Sequence, residues 1–208
     1  ADVVFSLMST GITERWLDEM HHNVHSLQCY YQEGKNRNNT YNEMVEAILT
    51  EVRAGKKVVA AFYGHPGVFS CVSHRTIKKA KQEGLPAHME AGISAEDCLY
   101  ADLAIDPGRT GCINYEASQF MFYKRNIDPA AHIILWQVGL AGDKSLEKYS
   151  TGRAYRQVLV DLLLETYPSD HKVILYQAKV LPIDTLRAEY VALTDLIDAE
   201  LFMHTTLV

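Results

Sequence analysis

The sequence predicts a two-lobed α/β protein whose helices cover mostly parallel sheets. Apolar runs of strand length alternate with segments of helical periodicity along the whole chain, which is typical of βαβ units. The chain has 208 residues, 48% of them hydrophobic and 22% charged, as in ordinary soluble globular proteins. This length suits two small lobes, and we expect residues 1–118 to form the first and residues 119–208 the second.

In the first lobe, residues 57–63 form a nearly continuous apolar run, as expected for a strand that is covered on both faces. Thr40 followed by Glu43 fits a capping box, which predicts a helix over residues 41–53 with Thr40 as its N-cap. The other strands of this lobe are predicted at residues 3–8, 87–90 and 111–117, and the other helices at residues 14–22, 74–82 and 95–104.

The second lobe contains fewer predicted elements. One helix is expected over about residues 153–167, where apolar side chains recur with helical spacing. Strands are predicted at residues 132–138, 173–178, 189–193 and 202–208.

The charge balance and the hydropathy exclude some classes of function. The 26 acidic and 20 basic residues give a formal charge of -6, whereas binding of nucleic acid needs a basic surface, so no nucleic-acid partner is expected. The chain contains no run of about 18 apolar residues, so no membrane span is expected. The first residues lack the basic start of a signal peptide, and we therefore expect the protein in the cytoplasm.

The cysteines and histidines show no metal-binding pattern. The four cysteines form no CxxC pair, and the nine histidines include no HExxH motif. We therefore expect reduced cysteines that pack against the core and no metal site.

Two loops follow predicted strands and are rich in small residues. Residues 63–69 read Tyr-Gly-His-Pro-Gly-Val-Phe, and residues 92–95 read Gly-Ile-Ser-Ala. Ligands of open α/β sheets bind at the carboxyl ends of the strands, and a helix N-terminus without large side chains offers free amides. Either loop alone is a weak signal, but the two in this order, about 25 residues apart, are more specific.

Further motifs make the combination specific. They read Tyr-Tyr-Gln-Glu-Gly-Lys-Asn-Arg at residues 30–37, Asn-Thr-Tyr at residues 39–41, Asp-Leu-Ala-Ile-Asp-Pro at residues 102–107 and Tyr-Glu-Ala-Ser at residues 115–118. With them, nearly the whole chain resembles the tetrapyrrole methylase superfamily, and within it the borosin peptide backbone α-N-methyltransferases. The chain looks like the split form of these enzymes, whose precursor peptide is a separate chain.

The resemblance implies a tetrapyrrole-methylase-like fold, with S-adenosylmethionine bound in the cleft between the two lobes and S-adenosylhomocysteine as the product. It also implies a homodimer, and a first lobe that lacks the family's first strand. The implied catalytic residues are Tyr31, Arg37, Tyr41 and Tyr63. The implied cofactor-binding residues are Tyr63, His65, Val68, Phe69, Ser94, Ala95, Gln137, Tyr176 and Thr206.

These residue types suit the methylation of a peptide amide. The amide nitrogen must lose its proton before it can accept a methyl group, and negative charge then builds on the amide oxygen. Hydrogen-bond donors aimed at that oxygen act as an oxyanion hole. We expect Tyr63 and Tyr31 to bond to the amide, one of them serving as the base, and Arg37 to lower the phenol pKa of Tyr41 or Tyr31.

Simpler interpretations of the same residues exist. Without the resemblance, Tyr63 reads as the end of a buried strand, Tyr31 and Tyr41 as aromatic packing, and Arg37 as a solvated charge. Two other functions are also compatible with the sequence. One is methylation of a tetrapyrrole or another small molecule, and the other is a truncated module that binds the cofactor or a peptide without activity.

Overall fold

A computed structural model describes residues 1–123 and 125–208 of the chain. The described chain divides into two compact units, Ala1–Ala95 and Glu96–Val208. Each unit contains its own sheet, with helices packed on it, so an α/β fold is confirmed for both.

The sheet of the first unit contains three parallel strands in the order β2-β1-β3. Helices connect the strands, as parallel pairing requires. The elements are β1 (Val3–Leu7), α1 (Gly11–Met20), β2 (Val24–Ser26), α2 (Arg37–Arg53), β3 (Val58–Phe62) and α3 (Cys71–Gln82). All five residues of β1 are buried, because this strand has neighbours on both sides.

Helix α2 begins one turn earlier than its capping-box pattern predicts. Its N-cap is Asn36, whose side-chain oxygen accepts a hydrogen bond from the backbone N–H of Asn38 at 2.9 Å. Thr40 instead lies inside the helix, is buried, and donates its hydroxyl to the carbonyl of Tyr30 at 3.4 Å. The predicted start was therefore wrong, because asparagine is at least as good an N-cap as threonine and burial retains Thr40 in the helix.

The core of the first unit lies between the sheet and α2. The buried side chains of α2 recur at helical spacing, as predicted, and pack with those of β1, Leu27 and Val72. The α2 residues are Met44, Val45, Ile48 and Leu49.

Two expectations for the first unit were wrong. Residues 87–90 form no strand, and residues 85–94 connect α3 to the next helix without regular secondary structure. Strand β3 is also not covered on both faces, since Val59 is 50% exposed. The physical reason is that β3 lies at the edge of its sheet, and only a paired neighbour would order residues 87–90 as a strand.

The second unit contains a five-stranded sheet in the order β4-β5-β8-β6-β7, in which only β4 and β5 are parallel. Its strands are β4 (Cys112–Glu116), β5 (His132–Trp136), β6 (Lys172–Gln177), β7 (Arg187–Ala192) and β8 (Thr206–Leu207). Its helices are α4 (Ala95–Leu103), α5 (Pro107–Thr110), α6 (Ala117–Phe122) and α7 (Arg153–Leu164). The expected final strand is thus shortened to two residues.

Strand β4 belongs to the second unit. The predicted boundary at residue 118 left this segment in the first lobe, whereas the units divide between Ala95 and Glu96. The reason is that β4 pairs with β5 along all five of its residues, from Cys112 opposite His132 to Glu116 opposite Trp136. The sheet to which a strand belongs is decided by pairing between strands distant in sequence, and a local sequence pattern does not predict that pairing.

The second sheet has a core on each face, as the alternation of side chains along a strand requires. Leu135 and Leu175 point into the larger core, where α7 packs with Leu159, Val160 and Leu163. Their strand neighbours point to the opposite face, into a smaller cluster that consists of Ile134, Trp136, Tyr176 and Leu99 of α4. None of the helices in the described part of the chain is both long and apolar enough to cross a bilayer.

We predict that Gly139→Ala strongly destabilises the second unit. A Cβ at this position would lie 2.2 Å from the carbonyl oxygen of Phe202 and 3.1 Å from the nitrogen of Met203. These backbone atoms cannot rotate away as a side chain can, so we expect a loss of about 3 kcal/mol in the free energy of unfolding. Urea denaturation measures it, with Gly11→Ala as the control because nothing lies within 4 Å of that added Cβ. Equal stability of the two variants would contradict the prediction.

Candidate functional site

The two loops singled out in the sequence lie against each other in the first unit. The loop over residues 63–69 follows β3, and the backbone N–H of Tyr63 still donates to the Leu7 carbonyl at 3.0 Å. A Cβ on Gly92 would lie 2.5 Å from the carbonyl oxygen of Gly64 and 3.2 Å from the Cα of His65. Only glycine permits this approach of one backbone to the other.

Hydrogen bonds within the chain fix the shape of the loop over residues 63–69. The backbone N–H of Gly67 donates to Nδ1 of His65 at 2.9 Å, so a neutral His65 carries its proton on Nε2. Nε2 of His74 lies 2.8 Å from the Gly67 carbonyl, to which it can donate. The hydroxyl of Ser73 donates to the Pro66 carbonyl, which ties the loop to α3. The loop is therefore formed before any ligand binds.

Aromatic side chains at both ends of this loop are exposed. Tyr63 is 60% exposed and Phe69 is 55% exposed. Phe69 has a φ of 51°, in the left-handed region that non-glycine residues rarely adopt. Backbone strain of this kind concentrates at functional sites, and exposed aromatic rings offer apolar faces to a ligand. The structure thus leaves Tyr63 and Phe69 accessible rather than packed in the core.

The loop over residues 92–95 leads into α4. Ser94 is buried and immediately precedes the helix, whose first turn carries the acidic residues Glu96 and Asp97. The Glu96 carboxylate accepts hydrogen bonds from Asn114 at 2.8 Å and from the Tyr100 hydroxyl at 2.5 Å, so the start of α4 is anchored to β4.

The residues predicted to be catalytic lie together in the first unit. Tyr31 and Tyr41 pack edge to face, with ring centroids 6.4 Å apart and planes at 88°. Tyr63 is close enough to both phenols to raise their pKa values, and Arg37 lies near enough to Tyr41 to act on its pKa. Tertiary structure thus unites residues from the segment before α2, from α2 and from the end of β3.

Burial controls the ionisation of the two packed phenols. Burial raises the pKa of Tyr31 far above its ordinary value, and Tyr41 and Tyr63 raise it further. Burial also raises the pKa of Tyr41, and the opposing effect of Arg37 is smaller. The expectation that Arg37 lowers the phenol pKa of Tyr41 is confirmed, but burial raises this pKa by more, so the net shift is upward. Both phenols stay protonated at neutral pH and can donate hydrogen bonds.

The three predicted cofactor residues of the second unit are neighbours there. Thr206 pairs with Tyr176 across β8 and β6. Gln137 follows β5 directly, and the N–H of the next residue, Val138, donates to the Thr205 carbonyl at 3.0 Å. Gln137 is exposed and has a φ of 59°, a second strained position at the carboxyl end of a strand.

Tyr176 has a structural role that its position in sequence does not show. Its side chain is almost fully buried, and its hydroxyl donates to the Asp102 carboxylate at 2.8 Å. Burial raises the pKa of Tyr176, and the bond to Asp102 raises it further. Any contact of this side chain with a ligand would have to replace that bond.

Sequence reasoning missed two residues beside these sites. Cys71, the first residue of α3, lies close enough to Tyr31 and Tyr41 to raise both pKa values, and Asp102 holds Tyr176. Cys71 lies next to the loop over residues 63–69, and Asp102 begins the motif at residues 102–107, so the sequence marked both positions without showing their contacts. Within residues 1–123 and 125–208, no group of three His, Cys, Asp or Glu side chains is arranged to hold a metal ion.

Residues 1–178 match the family described as Tetrapyrrole (Corrin/Porphyrin) Methylases. The chain belongs to this family. The matched residues lie in both units of the chain and include all the predicted site residues except Thr206.

Curated relatives of this tetrapyrrole methylase confirm its resemblance to the borosin enzymes. The methyltransferase and ribosomally synthesised type I borosin cyclic peptide precursor of Coprinopsis marcescibilis is 43% identical over 88% of this chain and 47% of its own length. The gymnopeptide precursor of Gymnopus fusipes, also named a methyltransferase, is 44% identical over 96% of this chain and 48% of its own length. The chain thus spans about half the length of these relatives.

Solved structures show the same tetrapyrrole methylase fold at low sequence identity. A cobalt precorrin-4 methyltransferase of cobalamin biosynthesis matches 100% of this chain and 82% of its own, with a TM-score of 0.62 and 16% identity. The uroporphyrin-III C-methyltransferase of Thermus thermophilus, in complex with S-adenosylhomocysteine, matches 100% of this chain and 84% of its own, with a TM-score of 0.60 and 14% identity.

We predict that Tyr31 of this tetrapyrrole methylase does not ionise near pH 11, one unit above the ordinary tyrosine pKa of about 10. Burial raises the folded-state pKa, so any stability from the protonated phenol is present below about pH 10 and lost as the pH rises further. Tyr31→Phe should therefore leave the tyrosinate absorbance of the folded protein unchanged near pH 11. In urea all 12 tyrosines are exposed, so at the same pH the variant should show the absorbance of one tyrosinate fewer than the wild-type protein. The same loss in the folded protein would show that Tyr31 titrates normally.

Proposed function

We propose that this chain is an S-adenosylmethionine-dependent methyltransferase that methylates backbone amide nitrogens of a precursor peptide. The observation that carries the proposal is the cluster of Tyr31, Arg37, Tyr41 and Tyr63 beside a preformed loop at the end of β3. Family membership supports methyl transfer, and the names of the borosin relatives support a peptide acceptor.

The cofactor site in this proposal uses the two loops of the first unit that lie against each other. Tyr63, His65, Val68 and Phe69 would contact S-adenosylmethionine from the loop after β3, with Ser94 and Ala95 from the loop before α4. Within the second unit, the exposed amide of Gln137 and the neighbouring Tyr176 and Thr206 form a separate set of proposed cofactor contacts. The residues fit an adenosine-sized ligand for three reasons. Hydrogen bonds within the chain fix the loop over residues 63–69, two aromatic rings are exposed, and the absence of a Cβ on Gly92 lets the two loops lie against each other. When bound, the cofactor supplies an activated methyl group on its sulfonium.

The tyrosine cluster suits the ionisation of an amide. The protonated phenols of Tyr31 and Tyr41 would donate hydrogen bonds to the amide oxygen as its charge develops, and one such donor is typically worth about 3 kcal/mol. The positive charge of Arg37 stabilises the same negative charge over a short distance. Tyr31 stays protonated and so acts as a donor, which leaves the exposed Tyr63, as a phenolate, to accept the amide proton and become a neutral phenol.

The acceptor in this proposal is a precursor peptide supplied as a separate chain, whereas the names of the curated relatives join a methyltransferase and a precursor in one protein. We further propose a homodimer that acts in the cytoplasm. The second candidate function is methylation of a tetrapyrrole, and the observation in its favour is the fold shared with the uroporphyrin and precorrin enzymes. The two candidates differ in the acceptor, and one assay separates them.

The test is mass spectrometry after incubation with S-adenosylmethionine and either a candidate precursor peptide or uroporphyrinogen III. Methyl groups located on backbone amides by peptide fragmentation would establish the proposed function. Methylation of the tetrapyrrole alone would establish the second candidate. Calorimetry measures the binding of S-adenosylmethionine in parallel with both assays. Absence of binding would indicate a module without methyltransferase activity.

We predict that Tyr63→Phe reduces peptide methylation at least about 100-fold, because the phenolate oxygen that accepts the amide proton is gone. The affinity for S-adenosylmethionine should change less than about threefold, since the ring and the loop are retained. Tyr190→Phe is the matched control, because Tyr190 is 68% exposed on β7 and belongs to neither predicted set. Full turnover by Tyr63→Phe would remove Tyr63 from the mechanism.

We predict that Gly92→Ala weakens cofactor binding at least about tenfold and also lowers the stability of the first unit, because the clashing atoms belong to the backbone. The added Cβ would push the loop over residues 92–95 away from Gly64, and both loops belong to the proposed cofactor site. Calorimetric titration with S-adenosylhomocysteine measures the effect, and thermal melting checks the fold. Unchanged affinity in a folded variant would show that the contact between the loops does not shape the cofactor site.

A further inference from the structure

Arg75 of α3 links α3 to two side chains of α2. One guanidinium nitrogen donates to Oδ1 of Asn38 at 2.8 Å, and the other donates to Oδ1 of Asn42 at 3.0 Å. Asn38 and Asn42 are four residues apart in α2 and therefore lie on the same face of the helix. A planar guanidinium with two parallel donors holds such a pair in one geometry, which a lysine ammonium cannot reproduce.

The two asparagines lie next to residues of the tyrosine cluster. Asn38 follows Arg37, and Asn42 follows Tyr41. Arg37 is the first residue of α2, and helix ends fray unless they are held. In this turn the Asn36 cap holds the backbone N–H of Asn38, and Arg75 holds its side chain. The bonds of Arg75 therefore hold the turn of α2 that presents both Arg37 and Tyr41.

The other end of this link is tied to the loop after β3. Helix α3 begins at Cys71, one turn before Arg75, and Ser73 of α3 bonds to the Pro66 carbonyl of the loop. Through α3, Arg75 thus joins the loop that bears Tyr63 to the turn that bears Tyr41.

Other contacts between α2 and α3 lie farther along the two helices. Lys79 bonds to Glu46 at 2.7 Å, and Arg53 bonds to Glu83 at 2.6 Å. Both are ion pairs between exposed or half-exposed groups, which typically add little stability. Arg75 differs because its two acceptors are neutral amides, so no carboxylate in these two bonds cancels its charge. That charge also lowers the pKa of the nearby Cys71, although burial raises it more.

We propose that Arg75 is a positioning residue for methyl transfer, which aligns Arg37 and Tyr41 with the acceptor amide by holding Asn38 and Asn42. The inference rests on the proposed function and adds to it a residue that touches neither the cofactor nor the peptide. Its contribution should appear in turnover and not in cofactor affinity, since the bonds of Arg75 set the position of the tyrosine cluster.

The test compares Arg75→Met with Lys79→Met, which removes a cation from the same helix pair one turn farther from the cluster. We expect Arg75→Met to lower kcat for the peptide at least about tenfold, with KM and the affinity for S-adenosylmethionine changed less than about threefold. Arg75→Lys should restore only part of the loss, because it restores charge without the paired hydrogen bonds. Lys79→Met should retain kcat within about twofold.

A double-mutant cycle separates positioning from general stability. In the Arg75→Met background, Asn38→Ala should have little further effect on kcat, because the two residues act through one bond. Full additivity, wild-type turnover by Arg75→Met, or an equal loss in Lys79→Met would each overturn the assignment of Arg75.

Amide hydrogen exchange provides a readout that does not depend on activity. Exchange at residues 38–42 should be faster in Arg75→Met than in Lys79→Met, and equal rates would overturn the inference. A wild-type protein that methylates no acceptor would refute the proposed function instead, and the exchange rates would still report whether Arg75 holds this turn.

Discussion

The approach of Gly92 to the Gly64 carbonyl is the constraint on which the arrangement of the first unit depends. The residue at position 92 cannot carry a Cβ, because that atom would lie 2.5 Å from the carbonyl oxygen. Two loops separated by a whole helix are thereby held backbone to backbone at the carboxyl end of β3. The bond from Gly67 to His65 then gives the first loop its shape, and Tyr63 and Phe69 are left exposed at its ends.

Packing in the first unit also controls the ionisation of two phenols. Tyr31 and Tyr41 are partly buried against the core of the first unit, and desolvation raises both pKa values more than nearby charge can lower them. An ionised phenol would repel the negative charge that develops on an amide oxygen, whereas a protonated phenol donates to it. Burial thus makes the cluster suitable for stabilising an oxyanion. Arg37 adds charge, and Arg75 holds the helical turn that presents it.

In the second unit, the two-residue strand β8 makes the three predicted cofactor residues neighbours. Strand β8 bridges β5 and β6, so Thr206 lies opposite Tyr176 and Gln137 lies beside the start of β8. Gln137 adopts a left-handed conformation where β5 ends, and Asp102 binds the phenol of Tyr176 from α4. Three residues that are far apart in sequence thereby become neighbours, one with an exposed side chain and two with buried ones.

The sequence by itself determined the α/β class, the apolar face of α2 and the two glycine-containing loops, because periodicity and turn chemistry are local properties. The residues of the tyrosine cluster were implied by the family resemblance. Tertiary structure decided what depends on partners distant in sequence. Pairing with β5 placed β4 in the second unit, and the lack of a neighbouring strand left residues 87–90 irregular. Burial retained Thr40 inside α2, which starts after Asn36, and it outweighed the lowering effect of Arg37 on the pKa of Tyr41. Desolvation and strand pairing depend on the surroundings of a residue in three dimensions, and its neighbours in sequence do not specify them.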